Sequence, residues 1–140
     1  MNPGDLLLIG FDMVKSKEVL EKAYNDSKHV TGKFNKNILH AINSHIDSDF
    51  DPDSFEHIAF YNEPCSRIEM HLKAVRDLEI LCLGSSSTIS IKKGETIHTE
   101  NSYKFTYETI KNLAYGADLK IQNIFTDKNK WFSLVQLTKN

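Results

Sequence analysis

The chain has 140 residues and is nearly neutral, with 17 Lys and Arg against 19 Asp and Glu. Neither sign forms a block able to track a phosphate backbone, which argues against nucleic acid as a partner. The apolar run at residues 6–11 is far too short for a membrane span and lacks the basic flank of a signal peptide. Two cysteines, Cys65 and Cys82, form no short-spaced motif and suit a reducing compartment, so the cytoplasm is the expected location.

Pro3-Gly4-Asp5 reads as a turn, and the continuous apolar run after it fits a strand over residues 6–14, buried on both faces as in a parallel sheet. Asp12 lies near its C-terminal end, where α/β folds place ligands, but one acid there is weak evidence of a site. Ser16 caps a helix whose apolar stripe is Val19, Leu20, Ala23 and Tyr24. A stronger helical pattern begins near Thr31-Gly32 and places Phe34, Ile38, Ala41, Ile42, His45 and Ile46 on one face. His29, His40, His45 and His57 lack the i, i+4 spacing and acidic ligand of a zinc-binding helix, and no metal is expected. Asp47, Asp49, Asp51 and Asp53 alternate through a loop that suggests calcium superficially. Ile58 stands where an EF-hand needs its bidentate glutamate, so a solvated, capping loop is the reading.

Residues 57–61 and 67–73 read as a β-hairpin around Pro64, with Ile68, Met70 and Leu72 on one face. Residues 78–83 form another short strand, followed by a flexible stretch at residues 84–87 and a strand at residues 88–91. In the extended segment 95–105, period two sets Ile97, Thr99, Asn101 and Tyr103 against His98, Glu100, Ser102 and Lys104. A carboxylate and a hydroxyl side by side, Glu100 and Ser102, can grip a small group with two polar edges, such as an imidazole or an amide. The same pattern also describes an edge strand with a solvated polar face. Thr106 caps a helix carrying Ile110, Leu113 and Ala114, and residues 119–125 and 131–137 form a closing hairpin.

Six stretches, taken in order, carry a resemblance. They are the run from Pro3 to Lys15; Ala23-Tyr24-Asn25-Asp26 with Val30-Thr31; Phe34-Asn35; Asp49-Phe50-Asp51 with Phe55-Glu56-His57; Arg67-Ile68-Glu69-Met70; and Glu100-Asn101-Ser102-Tyr103-Lys104-Phe105. The chain resembles the C-terminal portion of the histidine-specific, S-adenosylmethionine-dependent N-methyltransferases of the ergothioneine pathway. The resemblance implies an α/β fold: the end of a class I, Rossmann-like methyltransferase sheet at residues 1–15 and 104–140, and a mixed α+β substrate-binding lobe at residues 16–103.

It also implies a substrate site. Glu100 and Ser102 would hold the imidazole of histidine, Tyr24 would reach its amino-acid end, and Thr31 and Met70 would line the pocket. Read without the family, Tyr24 is equally a core aromatic and Met70 a packed side chain. His98 is expected on the Glu100 side, as a solvated group. No two glycines stand at G-x-G spacing, so the cofactor half is expected to be absent, with S-adenosylmethionine implied only for the complete enzyme. The expected partners are histidine and either a separate N-terminal half or further copies joined through an exposed sheet edge. A non-catalytic remnant that self-associates or binds a small amino acid is the alternative.

Overall fold

The computed structural model describes every residue except Pro3 and Asn140, and of Ser85 the backbone alone. The turn expected at Pro3-Gly4-Asp5 therefore lies partly outside the described residues. In chain order the elements are β1 (Leu6–Asp12), α1 (Lys17–Tyr24), α2 (Val30–Ile46), β2 (Phe55–Asn62), β3 (Arg67–Ala74), β4 (Leu78–Cys82), β5 (Ser87–Ile91), β6 (Thr96–Tyr103), α3 (Tyr107–Gly116), β7 (Leu119–Thr126) and β8 (Phe132–Lys139). They fall into two compact units. One comprises Met1–Ser16, Glu63–Arg67 and Tyr103–Asn140, the other Lys17–Asn62 and Ile68–Ser102.

In the first unit three strands pair in the order β1-β8-β7. Both pairings are antiparallel, from Leu6↔Thr138 to Asp12↔Phe132 on one side of β8 and from Leu119↔Lys139 to Thr126↔Ser133 on the other. Asp127 closes the β7–β8 turn by accepting from the backbone N–H groups of Asn129, Trp131 and Phe132 at 2.7–2.9 Å. Helix α3 opens on a capping box in which Thr106 and Thr109 satisfy each other's backbone amides. It packs Ile110 and Ala114 against Phe11, Met13, Val135 and Leu137.

The parallel, doubly buried strand expected at residues 6–14 is corrected here. β1 runs antiparallel to β8; Leu7, Ile9 and Phe11 face the core while Leu6 and Leu8 are 60% and 56% exposed. A continuous apolar run carries no information about which of its faces is covered by this chain. The architecture is mixed α and β with antiparallel sheets.

The second unit holds the sheet β2-β3-β6 and the antiparallel pair β4-β5. Helix α2 lies over a core of Leu39, Phe50, Phe55, Leu72, Leu78, Ile80 and Ile91. Its apolar face differs from the expected one. Asn35 and Leu39 are its buried residues, with Ile42 packed against the core, while Phe34 is 62% exposed. Two apolar stripes one residue apart compete on this helix, and the stripe containing a polar Asn is the one that faces inward.

The acids of the 47–53 loop act on backbone. Asp49 accepts from Leu81 N–H at 2.7 Å, and Asp51 caps the 3-10 turn Pro52–Ser54 through Asp53 N–H and the Ser54 hydroxyl. α2 begins at His29, which has left-handed backbone and supplies no side-chain cap. Asp26 does that work instead, its two oxygens accepting from Thr31 N–H and Val30 N–H at 2.9 Å.

These bonds hold the Asp26 carboxyl at about 2 rather than 3.8, with the Thr31 amide the largest cause. A carboxyl depressed by folding contributes stability that is complete above its unfolded value and is lost as pH falls through the folded one. The start of α2 should therefore loosen between about pH 4 and pH 2. Amide exchange at Val30 and Thr31 is expected to accelerate over that window. In Asp26→Asn it should already be fast at neutral pH and respond far less to acid.

Candidate functional site

The second unit is organised by a chain of hydrogen bonds running from α1 to β6. Asn35, 3% exposed, donates through Nδ2 to His57 Nδ1 at 2.9 Å and to the His71 carbonyl at 3.2 Å. With Nδ1 accepting, the His57 proton sits on Nε2, which donates to the Tyr24 carbonyl at 3.0 Å. On its other side the Asn35 Oδ1 accepts from the Thr99 hydroxyl at 2.5 Å, whose single proton is shared with the Met70 carbonyl at 2.9 Å. One buried amide thus uses both N–H groups and its oxygen to tie α2 to β2, β3 and β6.

β6 does not alternate regularly. It starts at a bulge: Gly94, at φ +90°, donates to the Ala74 carbonyl at 2.8 Å while Ala74 N–H donates to Glu95 at 2.9 Å. At the far end Lys104 N–H donates to the Ser66 carbonyl at 2.7 Å, so β6 spends one more residue than β3 between these two points. Side-chain contacts locate the slip. His98 stacks on His71, on the sheet face away from α2, and its Nε2 lies 2.9 Å from Asn101 Oδ1, a contact that residues three apart make only when they share a face. Thr99 and Glu100 both line a cleft of about 200 Å³ with Phe34, Asn35, Asn37, Ile38 and Ala41 of α2.

The expected faces are corrected accordingly. Glu100 and Ser102 lie on the helix side, with Thr99. His98 lies opposite them with Asn101, exposed as expected and stacked on His71. The extra residue at Thr99-Glu100 re-aims the strand, as bulges do.

Among the residues singled out from the sequence, Tyr24 and Ser102 meet through their hydroxyls at 2.7 Å. Met70 is buried in a cluster with Leu20, Ala59, Tyr61 and Ile68, against which Tyr24 packs. Glu100 is exposed at the mouth of the cleft. Thr31 is set apart from these: its amide and hydroxyl both turn to Asp26. Lys104, which the sequence left without a role, is 3% exposed with its Nζ 3.2 Å from Asp12, and Asp12 also holds Lys15 at 2.5 Å. Asp12 is thus the centre of an ion-pair cluster in the first unit. The connection from β1 to α1, residues 13–16, contains no glycine of the kind that lets backbone approach S-adenosylmethionine, and the positive-φ glycines Gly4 and Gly94 stand in turns ahead of β1 and β6.

A family model described as histidine-specific, SAM-dependent methyltransferase matches residues 1–139. The chain belongs to the histidine-specific methyltransferase family. Histidine N-alpha-methyltransferases of Mycobacterium tuberculosis and Mycolicibacterium smegmatis are each 37% identical over 134 residues, 96% of this chain and 42% of their own length. Ergothioneine biosynthesis protein 1 of Schizosaccharomyces pombe is 26% identical over 140 residues, 99% of this chain and 18% of that protein. The chain thus spans well under half the length of these relatives, matching their C-terminal part.

Sequence reasoning missed Asn35 and His57. Only the pairing Phe34-Asn35, with a polar residue inside an apolar helical pattern, hinted at a buried amide. Replacing Asn35 by Ala would take a partner from His57 Nδ1 and the His71 carbonyl and leave the Thr99 hydroxyl only the Met70 carbonyl. It is expected to cost roughly 2–4 kcal/mol, read from urea denaturation, since each buried unsatisfied group costs about 1–3 kcal/mol. Thr99→Val, which removes one hydroxyl, should cost about 1 kcal/mol.

Proposed function

We propose that this chain is the substrate-recognising portion of a methyltransferase that moves methyl groups from S-adenosylmethionine to the α-amino group of histidine. The observation that carries the reading is the slip in β6. It turns Glu100 to the side of the strand on which Ser102 meets Tyr24. A carboxylate accepts from one N–H of an imidazole, and a hydroxyl two residues on serves the other nitrogen as donor or acceptor. Tyr24, bonded to Ser102, would reach the amino-acid end of the same substrate, with Met70 as an apolar wall. Thr31 would close the pocket from the first turn of α2.

Methyl transfer from a sulfonium needs a neutral amine lone pair aimed at the methyl carbon, and positioning supplies much of the acceleration. Holding the imidazole at a fixed place is this chain's share of that task. The S-adenosylmethionine site would belong to the remaining length that the relatives possess, and no step at the sulfonium is assigned to residues of this chain.

The free edge of β1, with Leu6 and Leu8 exposed beside it, is where such further polypeptide would add strands. In its absence a second copy would cover the same surface. Light scattering of the 140-residue chain at micromolar concentration should then show a dimer or larger species; a clean monomer counts against that assignment.

The substrate reading is tested by NMR titration with histidine. Shifts are expected at the amides of Tyr24, Glu100 and Ser102 at millimolar concentrations. Glu100→Ala should weaken binding by about 1.5–3 kcal/mol and Ser102→Ala by about 0.5–1.5 kcal/mol, because a hydrogen bond to a charged group is worth roughly twice a neutral one. An unchanged response in Glu100→Ala would withdraw the imidazole-holding role.

A further inference from the structure

The face of the β2-β3-β6 sheet turned away from α2 carries a second constellation, separate from the Tyr24, Glu100 and Ser102 group. Glu69 and His71 are two apart on β3 and so share a face, and His98 of β6 lies against them. One potential ligand atom from each of the three lies within 4.8 Å of the others. We propose that Glu69, His71 and His98 bind one divalent transition-metal ion of the zinc class, with water completing the coordination.

The donor set is chemically apt. Two imidazoles and a carboxylate suit zinc and its neighbours, and three protein ligands leave a position for water. Ligand atoms around a tetrahedral zinc stand about 3.3 Å apart, given bonds of about 2.0 Å. His71 Nε2 and Glu69 Oε2 are already 3.4 Å apart.

The outer shell is also in place. Asn62 Nδ2 donates to Glu69 Oε1 at 2.9 Å, leaving Oε2 directed at His71. His98, with its proton on Nε2, donates to Asn101 Oδ1 at 2.9 Å and keeps Nδ1 bare for a ligand bond. A metal-bound histidine usually donates its other N–H in this way, fixing tautomer and ring orientation. Phe60 backs His71 with its ring centroid 5.3 Å away, so the imidazole nearest the buried carboxylate keeps one supporting face whatever His98 does.

One rearrangement is required. The His71 and His98 rings stack at 4.5 Å with their planes 14° apart, and an ion must lie close to the plane of each ring that binds it. His98 is the exposed member of the pair and is the ring that turns. The spacing of histidines along the chain concealed this group, because two ligands alternate on one strand and the third comes from a strand paired across the sheet.

The test uses the untagged 140-residue chain, stripped of metal, titrated with cobalt(II) and followed by its visible absorption, then challenged with zinc. The expected result is one equivalent of cobalt with the intense d–d bands of a four- or five-coordinate site, displaced by zinc. Those bands should vanish in His98→Ala and Glu69→Gln and survive in the triple variant His29→Ala, His40→Ala, His45→Ala. Asn101→Ala should weaken zinc binding by about 10-fold or more, as outer-shell losses do. A spectrum no different from free hexaaquacobalt, or bands that persist in both His98→Ala and Glu69→Gln, overturns the site. His71 is partly buried and its loss could unfold the sheet. His98 is exposed, so its variant, checked for native circular dichroism, decides the matter.

Discussion

The buried side chain of Asn35 is the constraint on which the second unit depends. Its amide fixes His57 as the Nε2-protonated tautomer, holds the β3 backbone at His71 and anchors the Thr99 hydroxyl. Each partner is itself attached to a residue of the candidate site: His57 to the Tyr24 carbonyl, and Thr99 to the carbonyl of Met70 and, along the chain, to Glu100. Buried polar networks of this kind are stabilising only when every member is satisfied. This one is satisfied through donors and acceptors taken from five different elements.

The slip in β6 decides which side chains that rigid framework presents on each face. In a regular strand the Asn35–Thr99 bond would place Thr99 toward α2 and send Glu100 to the opposite face. The extra residue puts both on the helix side, and Ser102 follows. The displaced alternation also delivers Asn101 to His98, so one backbone irregularity shapes both faces of the sheet. A bulge therefore gives the two faces of β6 separate sets of side chains, which a straight strand of this sequence could not do.

Charge serves structure through most of the chain. Asp26, Asp51 and Asp127 accept backbone N–H groups at helix starts and turns, and Asp49 accepts from Leu81 N–H of β4; the carboxyls of Asp26 and Asp127 are lowered chiefly by such backbone bonds and that of Asp51 chiefly by the Ser54 hydroxyl. Asp12 and Lys104 form an ion pair whose ammonium is buried, which explains a lysine following directly on an apolar-flanked strand. Glu100 differs from these acids: it stands exposed at the mouth of a cleft.

The elements themselves were legible in the sequence because their causes are local. Thr106 before an apolar helical stripe, Asp127 at a tight turn and Gly94 ahead of a polar-apolar alternation each act within a few residues. Family membership was legible too, since the resemblance is carried by short linear stretches spread over nearly the whole chain, and the family model matches residues 1–139. Facing and pairing were decided by tertiary structure. The two competing stripes of α2 are separated by a single hydrogen-bonding residue whose partners lie 22, 36 and 64 positions away. The β1 run is equally apolar on both faces, so composition could not tell that one of them is left uncovered by this chain. The phase of β6 depends on register against β3, and a one-residue shift in register moves side chains to the opposite face. Periodicity read along one strand contains no information about the strand it pairs with, and for that reason it groups His98 with Glu100 and Ser102, which the shift separates.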